Sequence, residues 1–152
     1  MMYKRILFGT CLTEYCDHIF NHTLKLAKDN EASLWIYYGL GRLKLNQEQV
    51  TEAIKDAEAR VADAYVERIK AKGLTDYKIN VSDGDVASEM TKLARNAGVD
   101  VMIMGTSTHA PISIGEDINV GPLGPVVSET ILWAPCPVLV IPPSLIPGLA
   151  RG

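Results

Sequence analysis

The sequence predicts an α/β protein built on a doubly wound, five-stranded parallel sheet with strand order 3-2-1-4-5 and helices on both faces. Three observations predict this fold. Short apolar segments alternate with amphipathic ones in the order β-α-β-α-β-α-β-α-β, and the connections between them are short. The segment 99–104 is apolar without alternation, which is typical of a strand that is covered on both faces.

Apolar, β-branched and aromatic content predicts strands over 4–10, 33–39, 77–81, 99–104 and 137–141. Helical spacing of apolar residues predicts helices over 13–30, 47–72 and 86–96, and a fourth that begins near Gly124. Thr13 is a suitable N-cap, and Gly73 and Gly98 stand where helices commonly end. Residues 1–142 form the predicted domain, and 143–152 form a loosely tied tail.

Composition excludes several classes of partner. A net charge of −3 over 152 residues provides no basic surface for nucleic acid or anionic lipid. No apolar run reaches the roughly 18 residues of a membrane span. The three cysteines form no even-numbered disulfide framework, which favours a reducing compartment. We therefore expect a cytoplasmic protein that binds neither nucleic acid nor membrane.

The candidate functional site follows from the predicted topology. In a doubly wound sheet, ligands bind outside the carboxyl ends of the strands where the strand order reverses, here between the first and fourth strands. The glycine-containing segment after the fourth strand runs into a helix N-terminus, an arrangement that holds anions. The candidate cleft residues are Gly9, Thr10, Cys11, Tyr38, Gly39, Met104, Gly105, Thr106, Thr108, Gly121, Gly124, Pro125, Val126 and Val127.

Four segments carry a resemblance to a known family: VDVMIMGT at 99–106, Gly84-Asp85, Gly124, and APCPVLVI at 134–141. On these segments, residues 4–142 resemble a universal stress protein domain. The resemblance implies a flavodoxin-like fold and, in one branch of the family, ATP binding. It also implies a homodimer paired through the last strand, and an unprotected apolar edge strand favours the same pairing. The predicted interface is Val138, Leu139, Val140 and Ile141.

The chain departs from the ATP-binding branch, whose loop resembles glycine, two residues, glycine, nine residues, glycine, then serine or threonine. Gly105 matches the first glycine, but Thr108 replaces the second, and fifteen residues separate Thr108 from Gly124. Pro125 stands where the hydroxyl residue belongs and removes both a hydroxyl and an N–H donor. Each such charge-assisted hydrogen bond contributes about 1.5–3 kcal/mol. The branch's strand-one aspartate falls on Cys11.

These departures predict a non-catalytic, homodimeric stress-response or regulatory domain with a degenerate nucleotide-binding cleft and no certain cofactor. Against them, Gly121 is available to replace the missing glycine, and the Val126 and Val127 N–H groups remain. The alternative is therefore an ATP-binding member with at most slow hydrolysis. A third reading is that residues 109–123 are rebuilt for another small anion or for a protein partner.

Several single residues have two readings. Cys11 is either a small buried residue in the aspartate's place or a redox-sensing thiol whose pKa is lowered by the following helix N-terminus. His18 and His22 form either a solvated helix face or half of a metal site, and no metal is predicted. His109 is interpreted as a loop residue and Cys136 as a packing residue. No serine or cysteine nucleophile has a placed histidine, so no catalytic residue is predicted.

Overall fold

The computed structural model describes residues 2–106 and 123–145. Its sheet has five strands in the order β3-β2-β1-β4-β5, and every neighbouring pair is parallel, which confirms the predicted fold class. The elements are β1 (Arg5–Thr10), α1 (Glu14–Asn30), β2 (Ser33–Gly39), α2 (Gln47–Ala71), β3 (Tyr77–Ser82), α3 (Val86–Ala97), β4 (Val101–Gly105), α4 (Pro125–Trp133), β5 (Val138–Ile141) and a 3₁₀ turn (Pro143–Leu145).

Predicted and observed boundaries agree closely, and the largest difference is at the start of β4. The strand begins at Val101 rather than at residue 99 because the preceding residues complete the end of α3. Gly98 adopts a left-handed conformation with φ of 66°, and the Val99 N–H donates to the Ala94 carbonyl at 2.9 Å. This pattern closes the last turn of a helix and delays entry into the sheet.

The core lies on both faces of the sheet. Under α1 and α2, Phe8, Phe20 and Tyr65 form an aromatic cluster with ring centroids 4.4–5.5 Å apart. Under α3 and α4, a second cluster is built around Leu7 and Met102. Burial of β1 and β4 on both faces explains why their sequences are continuously apolar.

The helices begin in two different ways. Thr13, Asn46 and Asp85 cap α1, α2 and α3, each side chain accepting a hydrogen bond from a backbone N–H three residues later. Helix α4 instead begins at Gly124, which has no side chain to serve as a cap, and Pro125 is its first residue. This difference places an uncapped helix end beside the centre of the sheet.

Some predictions fall on residues outside the described ranges: Thr108, Gly121, His109, all of the predicted 109–123 loop except Leu123, and residues 146–152 of the tail. Across the part of the chain that is described, no helix combines the length and the apolarity that a bilayer span requires.

Candidate functional site

A cavity of about 270 Å³ opens at the carboxyl ends of β1, β2 and β4 and is bounded by the first turns of α1, α3 and α4. This is the reversal point of the strand order, where doubly wound sheets bind ligands. Most predicted cleft residues in the described ranges line this cavity: Gly9, Thr10, Cys11, Tyr38, Gly39, Met104, Gly105, Thr106, Pro125, Val126 and Val127. Gly124 does not line the cavity but is buried immediately before α4.

Six further lining residues were absent from the predicted list. Tyr15, Cys16, Val86 and Met90 lie on helices, Tyr37 lies on β2, and Leu123 lies just before α4. Tyr15, Cys16 and Val86 lie in first helical turns directly after strand ends, so their positions beside the site follow from the predicted topology. Met90 lies deeper in α3 and reaches the cavity only because α3 packs over β1.

The cavity wall is mostly apolar, and no Lys, Arg, His, Asp or Glu side chain belongs to it among residues 2–106 and 123–145. The Thr10 hydroxyl of this wall is already engaged: Thr10 Oγ1 lies 2.5 Å from Tyr65 Oη and accepts the Leu12 N–H at 3.0 Å. Burial raises the pKa of Tyr65, so this pair is a neutral hydrogen bond at physiological pH. Thr10 therefore serves to hold the β1–α1 connection.

Packing limits the size of the side chain at three predicted cleft glycines. A Cβ at Gly9 would lie 2.8 Å from Met90 Sδ, near the end of a flexible side chain that can shift. A Cβ at Gly39 would lie 2.8 Å from a Val86 methyl group, and one at Gly105 would lie 2.5–2.7 Å from the Ile19 side chain and the Tyr15 ring. Helix-on-sheet packing therefore accounts for glycine at positions 39 and 105.

Tyr15 joins α1 to the two strands on the far side of the cavity. Its hydroxyl donates to the Ile141 carbonyl and accepts the Thr106 N–H at 3.0 Å. The Tyr15 side chain is buried, so its hydrogen bond to Ile141 is shielded from water, whereas the one from Thr106 is partly buried. Tyr15 thereby sets where the chain leaves β4 and enters the loop.

The first turn of α4, beside the cavity, begins with backbone N–H groups that have no acceptor within the helix. Gly124 has φ of 85° and ψ of 164°, a combination that is essentially restricted to glycine. The first helical hydrogen bond runs from the Ser128 N–H to the Gly124 carbonyl at 3.1 Å, and no side chain of the described residues caps the helix. Val126 and Val127 line the cavity and precede Ser128, so their N–H groups have no acceptor within α4.

Carboxylates lie near Tyr37, which lines the cavity from β2. The Tyr37 hydroxyl hydrogen-bonds the Ser82 hydroxyl at 2.7 Å. Burial raises the pKa of Tyr37, and the nearby carboxylates of Glu89, Asp83 and Asp85 raise it further. An anionic ligand group would therefore be favoured at α4 and opposed near β3.

The structure contradicts both predictions for Cys11, which were a small buried residue and a thiol with a lowered pKa. Cys11 is exposed rather than buried, and its pKa is raised because its thiol donates to Cys16 and because it is partly desolvated. The lowered pKa belongs to Cys16, at about 5, chiefly because its sulfur accepts from the Cys11 thiol. The two Sγ atoms are 3.2 Å apart. Hydrogen bonding between the two sulfurs therefore shifts their pKa values in opposite directions.

The histidines of α1 lie away from this arrangement. His18 is half-buried and His22 is exposed, and neither lines the cavity. Among the residues that the structure describes, no three His, Cys, Asp or Glu side chains come together as a metal site.

This chain is a doubly wound α/β domain. Its cavity at the strand reversal, beside a helix N-terminus, is where domains of this class bind ligands such as nucleotides. Residues 2–142 match the model of the Universal stress protein family, so the chain belongs to that family. A universal stress protein of Methanothermobacter thermautotrophicus is 29% identical over 150 residues, covering 92% of this chain and 96% of the relative.

Solved structures share the fold at lower identity. A universal stress protein in complex with cAMP superposes with a TM-score of 0.71 at 19% identity, covering 93% of this chain and 98% of that one. The universal stress protein from Archaeoglobus fulgidus in complex with dAMP superposes with a TM-score of 0.63 at 15% identity, covering 93% and 99%.

Proposed function

We propose that this protein is a non-catalytic, homodimeric stress-response or regulatory domain whose nucleotide-binding cleft is degenerate. The observation that carries the proposal is the cavity wall, which has the position of a nucleotide site but no cationic side chain among the described residues. Phosphoryl transfer depends on cationic groups that neutralise developing charge and on a residue that orients the nucleophile. The described wall provides neither.

The loss of the phosphate clamp at α4 also supports this function. Pro125 removes one backbone donor and has no hydroxyl, so two N–H groups remain at this helix end, those of Val126 and Val127. The carboxylates around Tyr37 oppose a second anionic group at the other end. The cavity volume of about 270 Å³ is also slightly below the roughly 300–1,000 Å³ of ordinary ligand pockets.

The second candidate function is binding of an adenine nucleotide, including ATP, with at most slow hydrolysis. It is favoured by the open N-terminus of α4, where two backbone donors and the helix dipole attract a single phosphate. Two structural relatives were crystallised with the adenine monophosphates cAMP and dAMP. In this case Thr10, Cys11 and Gly39 would border the nucleoside and the α4 end would hold one phosphate.

Calorimetry of the nucleotide-stripped protein distinguishes these functions. The titrants are adenosine, AMP, and ATP with Mg²⁺, and the variants are Pro125→Ser and the control Pro135→Ser, which lies at the opposite end of the sheet. We expect the parent to bind ATP more weakly than about 10 μM, or about −7 kcal/mol. Binding that is restored by Pro125→Ser alone would support the degenerate cleft. Tighter ATP binding by the parent contradicts it and favours the second function.

The proposed homodimer pairs β5 with β5 of a second copy. Strand β5 is the edge of the sheet, and Leu139 on it is 45% exposed. Beside it, Leu132 and Trp133 at the end of α4 are 74% and 69% exposed. An apolar edge strand with an adjoining apolar surface favours association through both backbone pairing and burial.

Sedimentation of the full chain tests the pairing. Leu139→Glu is expected to convert the dimer to monomer because it places like charges in the centre of a symmetric interface. The control is Leu45→Glu, since Leu45 is 47% exposed but lies in the connection before α2. A monomeric parent, or a Leu139→Glu variant that remains dimeric, would disprove pairing through β5.

A further inference from the structure

Two of the three cysteines meet at the cavity although they lie on different structural elements. Cys11 follows the end of β1, and Cys16 is in the first turn of α1. Their Sγ atoms are 3.2 Å apart, and the Cys11 N–H donates to Cys16 Sγ at 3.3 Å. A disulfide has an S–S length of about 2.05 Å, so the two sulfurs need to approach by only about 1.2 Å.

The chain turn between the two thiols is what brings them together. Leu12 has a positive φ of 60°, unusual for a residue with a side chain, and its N–H is held by Thr10 Oγ1. Thr13 then caps the helix and its hydroxyl lies 3.5 Å from Cys11 Sγ. The strained turn is thus stabilised on both sides and directs Cys11 back onto Cys16.

The two sulfurs differ in chemical character. Cys16 Sγ accepts the Cys11 N–H and lies 3.2 Å from Cys11 Sγ, and hydrogen bonding to Cys11 lowers the pKa of Cys16 to about 5. Cys11 acts as the donor, which raises its pKa. In such a pair, one sulfur is the nucleophile that is oxidised first, and the other is the resolving thiol that then forms the disulfide.

Both sulfurs also have access to small molecules. Cys16 is only 4% exposed, but it and Cys11 line the 270 Å³ cavity. Cys136 does not line the cavity: it is half-buried and packs against the apolar cluster beneath α3 and α4, and desolvation by burial raises its pKa. Cys136 therefore serves as the comparison for the reactivity of Cys11 and Cys16.

We propose that Cys11 and Cys16 are a redox-active dithiol that a hydroperoxide oxidises to an intramolecular disulfide. The Cys16 thiolate attacks the hydroperoxide, the O–O bond breaks, and the departing oxygen takes a proton from solvent to leave as water or an alcohol. Cys16 is left as the sulfenic acid. The Cys11 sulfur then attacks Cys16 Sγ, the S–O bond breaks, and the hydroxyl leaves as water with the Cys11 proton. Two thiols lose two electrons, and the hydroperoxide gains them.

The disulfide would change one wall of the cavity. It replaces a thiolate with a neutral group and covalently ties the end of β1 to the first turn of α1. The Cys11 N–H loses its anionic acceptor, and the turn at Leu12 is closed in a short ring. Oxidation is therefore expected to alter the cleft locally, whether or not the cleft binds a nucleotide.

Peptide mapping of the folded wild-type chain after treatment with hydrogen peroxide tests the proposal directly. Glu14 lies between the two cysteines, so digestion with trypsin and a glutamate-specific protease yields fragments 6–14 and 15–25. We expect these fragments to stay joined until dithiothreitol is added, with an intact mass lower by two hydrogen atoms. Separate fragments, or a bond to Cys136 or to a second chain instead, would overturn the proposal.

Variants assign the roles of the two sulfurs. Cys11→Ser is expected to stop at a Cys16 sulfenic acid that dimedone traps, whereas Cys16→Ser is expected to show no trapped product at Cys11. Cys136→Ser is the matched control and should form the disulfide as the parent does. Circular dichroism before and after oxidation verifies that the reaction occurs in the folded protein. Trapping on Cys11 rather than Cys16 would contradict the assignment of the nucleophile.

Discussion

The N-termini of α1 and α4 follow neighbouring strands and open onto the same cavity, yet they are built in opposite ways. At α1, Thr13 caps the helix and the Cys16 sulfur takes up the Cys11 N–H, so the chain satisfies its own donors. At α4, Gly124 provides no side-chain cap, and the N–H groups of Val126 and Val127 have no acceptor within the helix. Equivalent topological positions therefore do not imply equivalent binding capacity, because local side chains decide whether the helix end is available.

Gly105→Ala is expected to cause the largest change, because it disrupts the packing that joins the two regions. The new Cβ would lie 2.5–2.7 Å from Ile19 and the Tyr15 ring, and both side chains would need to move. We expect a loss of about 3 kcal/mol in the free energy of unfolding, measured by urea denaturation. Gly41→Ala is the comparison, since Gly41 has a positive φ but open space around it. Equal losses in the two variants would show that packing at Gly105 is unimportant.

Tyr15→Phe removes the hydrogen bonds that connect α1 to the strands beside α4. The Thr106 N–H and the Ile141 carbonyl would each lose a shielded partner. A loss of about 2 kcal/mol is expected in the free energy of unfolding. Tyr77→Phe, at the half-buried start of β3, is the control and should cost less. A Tyr15→Phe variant as stable as the parent would mean that water replaces both partners.

Thr13→Ala compares the two helix ends directly. Removing the hydroxyl leaves the Cys16 N–H without its cap and is expected to cost about 1 kcal/mol by thermal or urea unfolding. Pro125→Ala at the equivalent end of α4 removes no cap and should change stability by less than about 0.5 kcal/mol. If both substitutions cost the same, the distinction between a closed and an open helix end would be wrong.

The charged N-cap of α3 should make a small contribution to stability that depends on pH, unlike the neutral cap of α1. Asp85 begins α3 and accepts hydrogen bonds from the Ser88 hydroxyl and N–H, which lower its pKa. Its contribution is therefore present above the ordinary Asp pKa of about 3.9 and is lost as the pH falls through the lowered value. Asp85→Asn should be less stable than the parent at neutral pH, and the difference should shrink on acidification. A difference that grows toward acid would contradict this cap.

Much of the fold was predictable because its determinants are local. The apolar and aromatic run at β2 predicted that strand to the residue, and Thr13 and Gly98 marked helix ends where the structure has them. The cavity wall was predictable in outline because strand ends in a doubly wound sheet converge at one edge. The start of β4 was placed two residues too early, because hydrophobicity alone does not reveal that Val99 closes the end of α3.

Other properties of the site depend on contacts between distant residues. Tyr15 bonds to Ile141 across 126 positions, and the need for glycine at position 105 appears only once α1 lies on β4. Even the close pair Cys11 and Cys16 depends on the left-handed turn at Leu12, so the sequence suggested the wrong thiol as the acidic one.

The sequence by itself determined the order of the strands and helices, the parallel sheet and the position of its cleft. Periodicity and capping involve residues within about four positions of one another, and the parallel topology restricts how such elements pack. Only the tertiary structure decided which glycines are packing sites, which helix end is open and which thiol is the thiolate. These properties arise from close contacts and burial, which exist only after the elements have packed together.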